Sequence, residues 1–285
     1  MKGYKAFDKG LICRDKQYAE KTVFEEESAE ICKIGMHFCK NPLDTLDYYP
    51  LIDNKGNITE FAEVEALDDA KTDDNKKFCT KKLKIGAKLN LSQFIKASVD
   101  VTYQNIKSEV KSEVDKKSLK ATAGDENATL AGGYNATLAG GESATLAGGY
   151  NATLAGGYNA TLAGGYNATL AGGDYATLAG GNYATLAGDE NATLAGGDYA
   201  KLAGGYNATL AGGDNATLAG GKNSIIVGDN HSIAKGKKGA VIVLIERDIN
   251  CNIIDFKAVQ VDGEKIKEDV LYKLKNGEFV EVGVK

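Results

Sequence analysis

The chain has 285 residues, of which 35 are glycine and only 2 proline, and it carries a net charge of −5. That balance excludes the basic stripe of a nucleic-acid-binding protein and any attraction to an anionic membrane surface, so neither partner is expected. No apolar run approaches the ~20 residues of a membrane span, and the opening MKGYKAFDKG lacks the apolar core of a secretory signal, which points to the cytoplasm.

Residues 1–92 read as a mixed α+β module. GYKAF, FAEVEAL and KFCTKKLKI have the composition of strands, and PLDTLDYYP that of a short helix. Without a secretory signal the five cysteines (Cys13, Cys32, Cys39, Cys79, Cys251) read as reduced thiols. Cys32, His37 and Cys39 lie close together, but Cys-x4-His-x-Cys is not a zinc-ligand spacing. They read as small core cysteines with His37 hydrogen-bonded at a strand edge, and neither a metal nor a cofactor is expected.

The stretch CKIGMHFCKNPLDTLDYYP (Cys32–Pro50), followed by FAEVEAL, resembles an uncharacterised domain family found in bacteria and their phages. Met36 stands where an aromatic residue is expected. The resemblance implies a phage or prophage setting, hence the host cytoplasm, and carries no mechanism. A Tyr near the start, a Gly-x-His-Phe strand and a helix ending in Tyr48-Tyr49 are also similar to ADP-ribosyltransferase folds. That likeness implies a cleft lined by Arg14, His37, Tyr48, Tyr49 and Glu63. The plainer reading makes Phe61, Glu63 and Glu65 the wet and dry faces of one strand. With no P-loop, dinucleotide fingerprint or Ser-His-Asp set, an enzyme is not expected, although the N-terminal module keeps that alternative open.

Residues 93–118 read as an amphipathic connecting helix, with Val99, Tyr103, Ile106, Val110 and Val114 spaced by three and four and Ser92 as its cap. From 119 to 238 the octapeptide Asn-Ala-Thr-Leu-Ala-Gly-Gly-Tyr recurs, with glycine at its sixth position every eight residues from Gly132 to Gly236. So short a period is the signature of a solenoid. Five residues, Asn to the second Ala, are expected to form a strand, and the glycines to supply positive φ at the corner. Because eight residues make one side, two units make a coil. The predicted fold is therefore mainly β, a β-solenoid of seven 16-residue coils made of paired octapeptides.

Alternation places Leu and the first Ala inside, with Asn, Thr and the second Ala outside. Lys201, standing at a Thr position, supports that setting because a lysine inside so thin a rod is costly. Tyr134, Tyr150 and Tyr166 are expected to stack on one edge, with Tyr158 and Tyr206 on the other, while Tyr175, Tyr183 and Tyr199 occupy the Asn position. These eight tyrosines are the candidate binding residues. The sixteen-residue coils resemble the repeats of bacterial ice-nucleation proteins, and GKNSIIVGDNHSIAKG resembles the head repeats of trimeric autotransporter adhesins. Residues 239–285 read as a C-terminal β cap, with Asn276-Gly277 as a type I′ turn.

The expected function is a non-enzymatic binding or scaffold protein that holds a protein partner, such as a host defence component, and pairs as a homodimer along the rod. Mimicry of DNA by the rod is excluded, because its acids between Asn127 and Lys222 are too sparse. The alternatives are ice binding through outward Asn and Thr, an ADP-ribosyltransferase-like activity in the module, and a structural part of a virion.

Overall fold

The structure is a computed structural model that describes residues 1–31, 33–53, 57–110 and 121–283. Cys32, Val114 and the side chains of Ser92, Tyr103, Ile106 and Val110 lie outside the described residues.

Each octapeptide makes a strand of three or four residues, typically Thr-Leu-Ala-Gly, and a tight turn, Gly-X-Asn-Ala. Successive strands alternate between two parallel sheets, so each pairs with the strand sixteen residues away. Leu130 lies beside Leu146 and Leu146 beside Leu162, while Leu138, Leu154 and Leu170 stack in the facing sheet. The leucines from Leu138 to Leu218 are at most 1% exposed and share one core with the first Ala of each unit. Each buried Leu contributes roughly 1.5–3 kcal/mol before chain entropy is counted.

Each sheet holds eight parallel strands, so the rod has eight coils rather than seven. At the near end Ala121–Gly124 pairs with Thr137–Gly140, placing Thr122 beside Leu138. A rule keyed on leucine misses that half-coil. At the far end Val241–Arg247 continues the ladder beside Ile225–Gly228.

The corner works differently from the sequence expectation, because its positive φ comes from the Asn position and that residue belongs to the turn. From Asn127 to His231 every residue at this position has φ between 54° and 62°. Asn tolerates that conformation better than other non-glycine residues because its short side chain bonds locally. The repeat glycines are needed for space. A Cβ on Gly156 would stand 2.6 Å from the Ala160 Cβ inside the rod, and one on Gly173 3.1 Å from the Gly157 carbonyl carbon in the preceding coil.

The N-terminal module is a six-stranded antiparallel sheet ordered Val23–Glu25, Lys82–Leu89, Glu60–Ala66, Lys2–Phe7, Met36–Cys39, Lys77–Thr80. The single strand expected over KFCTKKLKI is two, and PLDTLDYYP opens with a 3-10 turn over Pro42–Asp47. Phe7, Met36, Phe38, Phe78 and Ile85 fill one face of the sheet. On the other, Phe61 stacks on Phe94 of the helix Leu91–Val110, with centroids 3.9 Å apart. Asn90 caps that helix. Its side chain accepts from the Gln93 N–H at 2.8 Å, and Gln93 accepts from the Asn90 N–H at 2.9 Å, a reciprocal capping box.

The helix does not simply lead into the first coil. It lies along the outer face of one sheet, against strands from Ala121–Gly124 to Thr185–Gly188. There the second Ala of five units (Ala155, Ala171, Ala187, Ala203, Ala219) joins Leu43, Leu51, Ile52, Phe94 and Ile95 in a common core. The equivalent alanines of the opposite sheet, Ala147 to Ala211, are exposed. Lys201 is on the covered sheet, where burial lowers its pKa.

Beyond the last coil, Ile253–Gln260 pairs antiparallel with Val241–Arg247, and Tyr272–Lys275 pairs antiparallel with the strand ending at Gly236. Glu278–Glu281 completes the second hairpin through a turn in which Asn276 (φ 52°) and Gly277 (φ 73°) both have the positive φ of type I′.

Leu162→Asp should lose several kcal/mol by burying an unpaired carboxylate, whereas Thr161→Ser should stay within about 0.5 kcal/mol. Gly156→Ala should cost more than about 1 kcal/mol, while Asn159→Gly at the positive-φ corner should be nearly neutral. Urea unfolding followed by circular dichroism checks all four, and an equal effect of Gly156→Ala and Asn159→Gly would contradict the steric role of glycine.

Candidate functional site

The eight tyrosines divide between the two edges of the rod. On one edge Tyr134, Tyr150, Tyr166, Tyr183 and Tyr199 form a continuous ladder with centroids 5.3, 5.1, 5.2 and 4.9 Å apart. On the other edge Tyr158 contacts only Tyr175 among these rings, at 5.4 Å, and Tyr206 accepts a hydrogen bond from Asn223 at 3.3 Å.

The ladder crosses a change of register. Tyr134, Tyr150 and Tyr166 precede the positive-φ Asn, whereas Tyr183 and Tyr199 occupy that site themselves, with φ 62° and 59°. The polar column shifts in the opposite sense. Asn167 donates to Asn151 at 2.8 Å; further along, the Asp198 N–H donates to Asn182 Oδ1 and the Asp214 N–H to Asp198 Oδ1, both at 3.1 Å. A bulky residue at positive φ costs roughly 1–2 kcal/mol, and each ring contact contributes roughly 0.5–1.5 kcal/mol. With two such contacts, Tyr183 offsets its strain. All five rings are 43–66% exposed. Acidic corner residues Glu126, Glu142, Asp174 and Glu190 line the other edge, whereas the first three rungs of the ladder edge carry none.

A second site lies in the N-terminal module, a recess of about 430 Å³ lined by Lys5, Cys13, Arg14, His37, Tyr48 and Tyr49 among others. The ADP-ribosyltransferase likeness named Arg14, His37, Tyr48 and Tyr49, and the structure gathers these four. Glu63 is elsewhere, lining a separate recess of about 390 Å³ with Lys2, Lys40 and Glu65.

The residue that sequence reading missed is Lys5. It is 5% exposed, donates to the His37 carbonyl at 2.9 Å and to Cys13 Sγ at 3.3 Å, and lies 5.3 Å from the centre of the Phe7 ring. Burial lowers its pKa. The available signal was a single charge inside the otherwise uncharged strand GYKAF. The Tyr49 hydroxyl donates to the same sulfur at 3.1 Å. Arg14 sits at φ 55° in the turn between Ile12–Cys13 and Lys16–Gln17, a conformation that costs a non-glycine residue roughly 1–2 kcal/mol and brings the cation to the rim.

Cys39 and Cys79 are buried as expected of core cysteines, and burial, reinforced by Asp44, Asp47 and Asp74, pushes the Cys39 thiol up to about 12. Among the described residues no group of three or more His, Cys, Asp or Glu side chains gathers in a metal-binding arrangement. Nor is any described helix long and apolar enough to cross a membrane.

Residues 1–97 match a family model described as "Domain of unknown function (DUF7666)". The similarity covers the first third of the chain and describes the module alone. No curated protein and no solved structure matches the chain.

His37 titrates far from its ordinary range. Burial first, then the charges of Lys5, Lys77 and Arg14, lower its pKa from 6.5 to about 4. The unfolded chain therefore binds this proton first as pH falls through 6.5, and the folded state is destabilised progressively down to about 4. Asp44, raised from 3.8 to about 6 mainly by burial, acts in the opposite sense over part of that window. Comparing wild type with His37→Gln cancels the Asp44 contribution. The stability of wild type relative to the variant should fall between pH 6.5 and 4 in urea unfolding, and a constant difference would contradict the assignment.

Proposed function

We propose that the protein is a non-enzymatic binding scaffold, borne by a phage or prophage, whose rod holds a protein partner in the host cytoplasm and thereby inhibits a component of host defence. The observation that carries this reading is an asymmetry. Among the described residues, one sheet of the rod is covered by the chain's own module, while the opposite sheet and the five-ring tyrosine edge are exposed. Stacked rings held on a rigid backbone have little conformational freedom left to lose, and tyrosine anchors interfaces at low entropic cost. The ladder spans roughly 20 Å, enough for several anchors on one partner. The phage setting rests on the resemblance of the first third of the chain to modules carried by bacteria and phages.

The same open side suits an isologous contact between two rods about a two-fold axis. The module, docked on the far sheet, does not obstruct such a dimer.

A second reading draws support from one observation. Thr129, Thr145, Thr161, Thr177, Thr193 and Thr209 run in an unbroken row on the open sheet, and Lys201 interrupts only the covered one. A flat, regular threonine row favours ice binding, and thermal hysteresis abolished by Thr161→Lys would support it over the scaffold.

The triple variant Tyr150→Ser/Tyr166→Ser/Tyr183→Ser tests the scaffold. It should keep the wild-type circular dichroism spectrum, become monomeric by light scattering at micromolar concentration, and lose a host protein that wild type captures. A captured protein retained equally by both would end the ladder's role.

A further inference from the structure

The recess in the N-terminal module supports an inference independent of the rod. Lys5 is buried, and among the described residues no carboxylate lies within ion-pair distance of it. Its ammonium has three N–H donors, of which the His37 carbonyl and Cys13 Sγ engage two. Buried charges are ordinarily paired, because an uncompensated charge is expensive to remove from water. Among the described residues no side chain supplies the pairing anion.

Two further cations, Arg14 and Lys77, line the same recess. Of the two acids there, Glu26 is engaged by Lys16, which leaves Asp15. The three cations that converge on the recess are the same three that, after burial, help to hold the neighbouring imidazole neutral. Three convergent cations suit a dianion better than a monocarboxylate, even with Asp74, Asp44 and Asp47 acting on the wall from behind Tyr48 and Cys39, and the planar fork of arginine fits phosphate oxygens in pairs. A volume of about 430 Å³ far exceeds one phosphate and falls within the range of small-molecule sites. Tyrosine rings complete the lining, and Lys77 Nζ already lies 4.4 Å from the centre of the Tyr48 ring. Such faces accept a flat heterocycle.

We propose that this recess binds an organic phosphate of mononucleotide size, its phosphate held by Lys5, Arg14 and Lys77 and its flat ring stacked against the tyrosine wall. Asp15 at the rim disfavours more extended polyanions.

The test uses the full chain with AMP, GMP and UMP as probes and adenosine and inorganic phosphate as controls. Binding is read by calorimetry and by the imidazole signals of the two histidines. At least one mononucleotide should bind saturably and move the His37 signal while leaving His231 in place. The matching nucleoside and free phosphate should each bind about ten-fold more weakly or worse. Arg14→Gln and Lys77→Gln, at the rim and outside the core, should each weaken binding about ten-fold. Lys5→Met should abolish it, and the circular dichroism spectrum reports whether that buried variant folds. Silence of all three mononucleotides at millimolar concentration would overturn the proposal. So would unchanged affinity in both rim variants, or free phosphate binding as tightly as any nucleotide. The tyrosine-ladder triple variant should bind as wild type, so the two readings fail separately.

Discussion

Between the two sheets of the rod there is room for one leucine and one methyl group per half-coil. A Cβ at the sixth position of the repeat has no space, since it would press on the next alanine at 2.2–2.7 Å in nearly every coil. The leucines fill the gap left by that missing atom, and the alanine closes the corner beside it. Because the space is the same at every level, the sequence that fills it is nearly the same at every level. At the far end Ile226, Ile242, Leu244, Val261 and Leu274 join the same core. Strict repetition is thus the consequence of a cross-section with one packing solution, in keeping with the close-packed character of protein interiors.

Much of this was legible in the residues. The sixteen-residue pairing, the inward leucines and the stacking of Tyr134, Tyr150 and Tyr166 follow from a period of eight and the alternation of a strand. The corner was misread because composition alone does not separate a glycine needed for φ from one needed for space. Asn159 and Gly156 exchange the roles that general preference assigns them. Tyr183 and Tyr199 were placed at the Asn position, yet their membership of the ladder depends on that position being a corner rather than a strand. The recess around Lys5 was half visible. Arg14, His37, Tyr48 and Tyr49 come together while Glu63 does not, and the lone charge within GYKAF marks Lys5 as unusual without saying that the sheet will bury it.

Docking of the module explains why the fifth position of the repeat is alanine. On the covered sheet that column meets Phe94, Ile95 and Leu51, and a larger side chain would lift the helix off the rod. On the open sheet the same alanine faces solvent, where no such pressure acts within the monomer. One residue type therefore serves a packed face and an unoccupied one. The two antiparallel hairpins at the far end finish both ladders, with Lys257–Glu278 at 2.7 Å and Lys267–Glu281 at 2.9 Å adding charge to the terminal hairpin and discouraging further strand addition.

The two-sided coil also gives the rod a parity. Near-identical repeats invite gain and loss by slippage during replication, and an octapeptide is the smallest unit such slippage would move. An even number of units lengthens the rod by whole coils and leaves the hairpins on the faces they already occupy. An odd number turns everything downstream by half a coil. Residues such as Tyr183 and Tyr199 would then leave the aromatic edge for the acidic one, and the fifth-position alanines beyond the insertion would change sheets. Length is free to drift, but only in steps of sixteen residues does the rod keep its two edges and its two faces distinct.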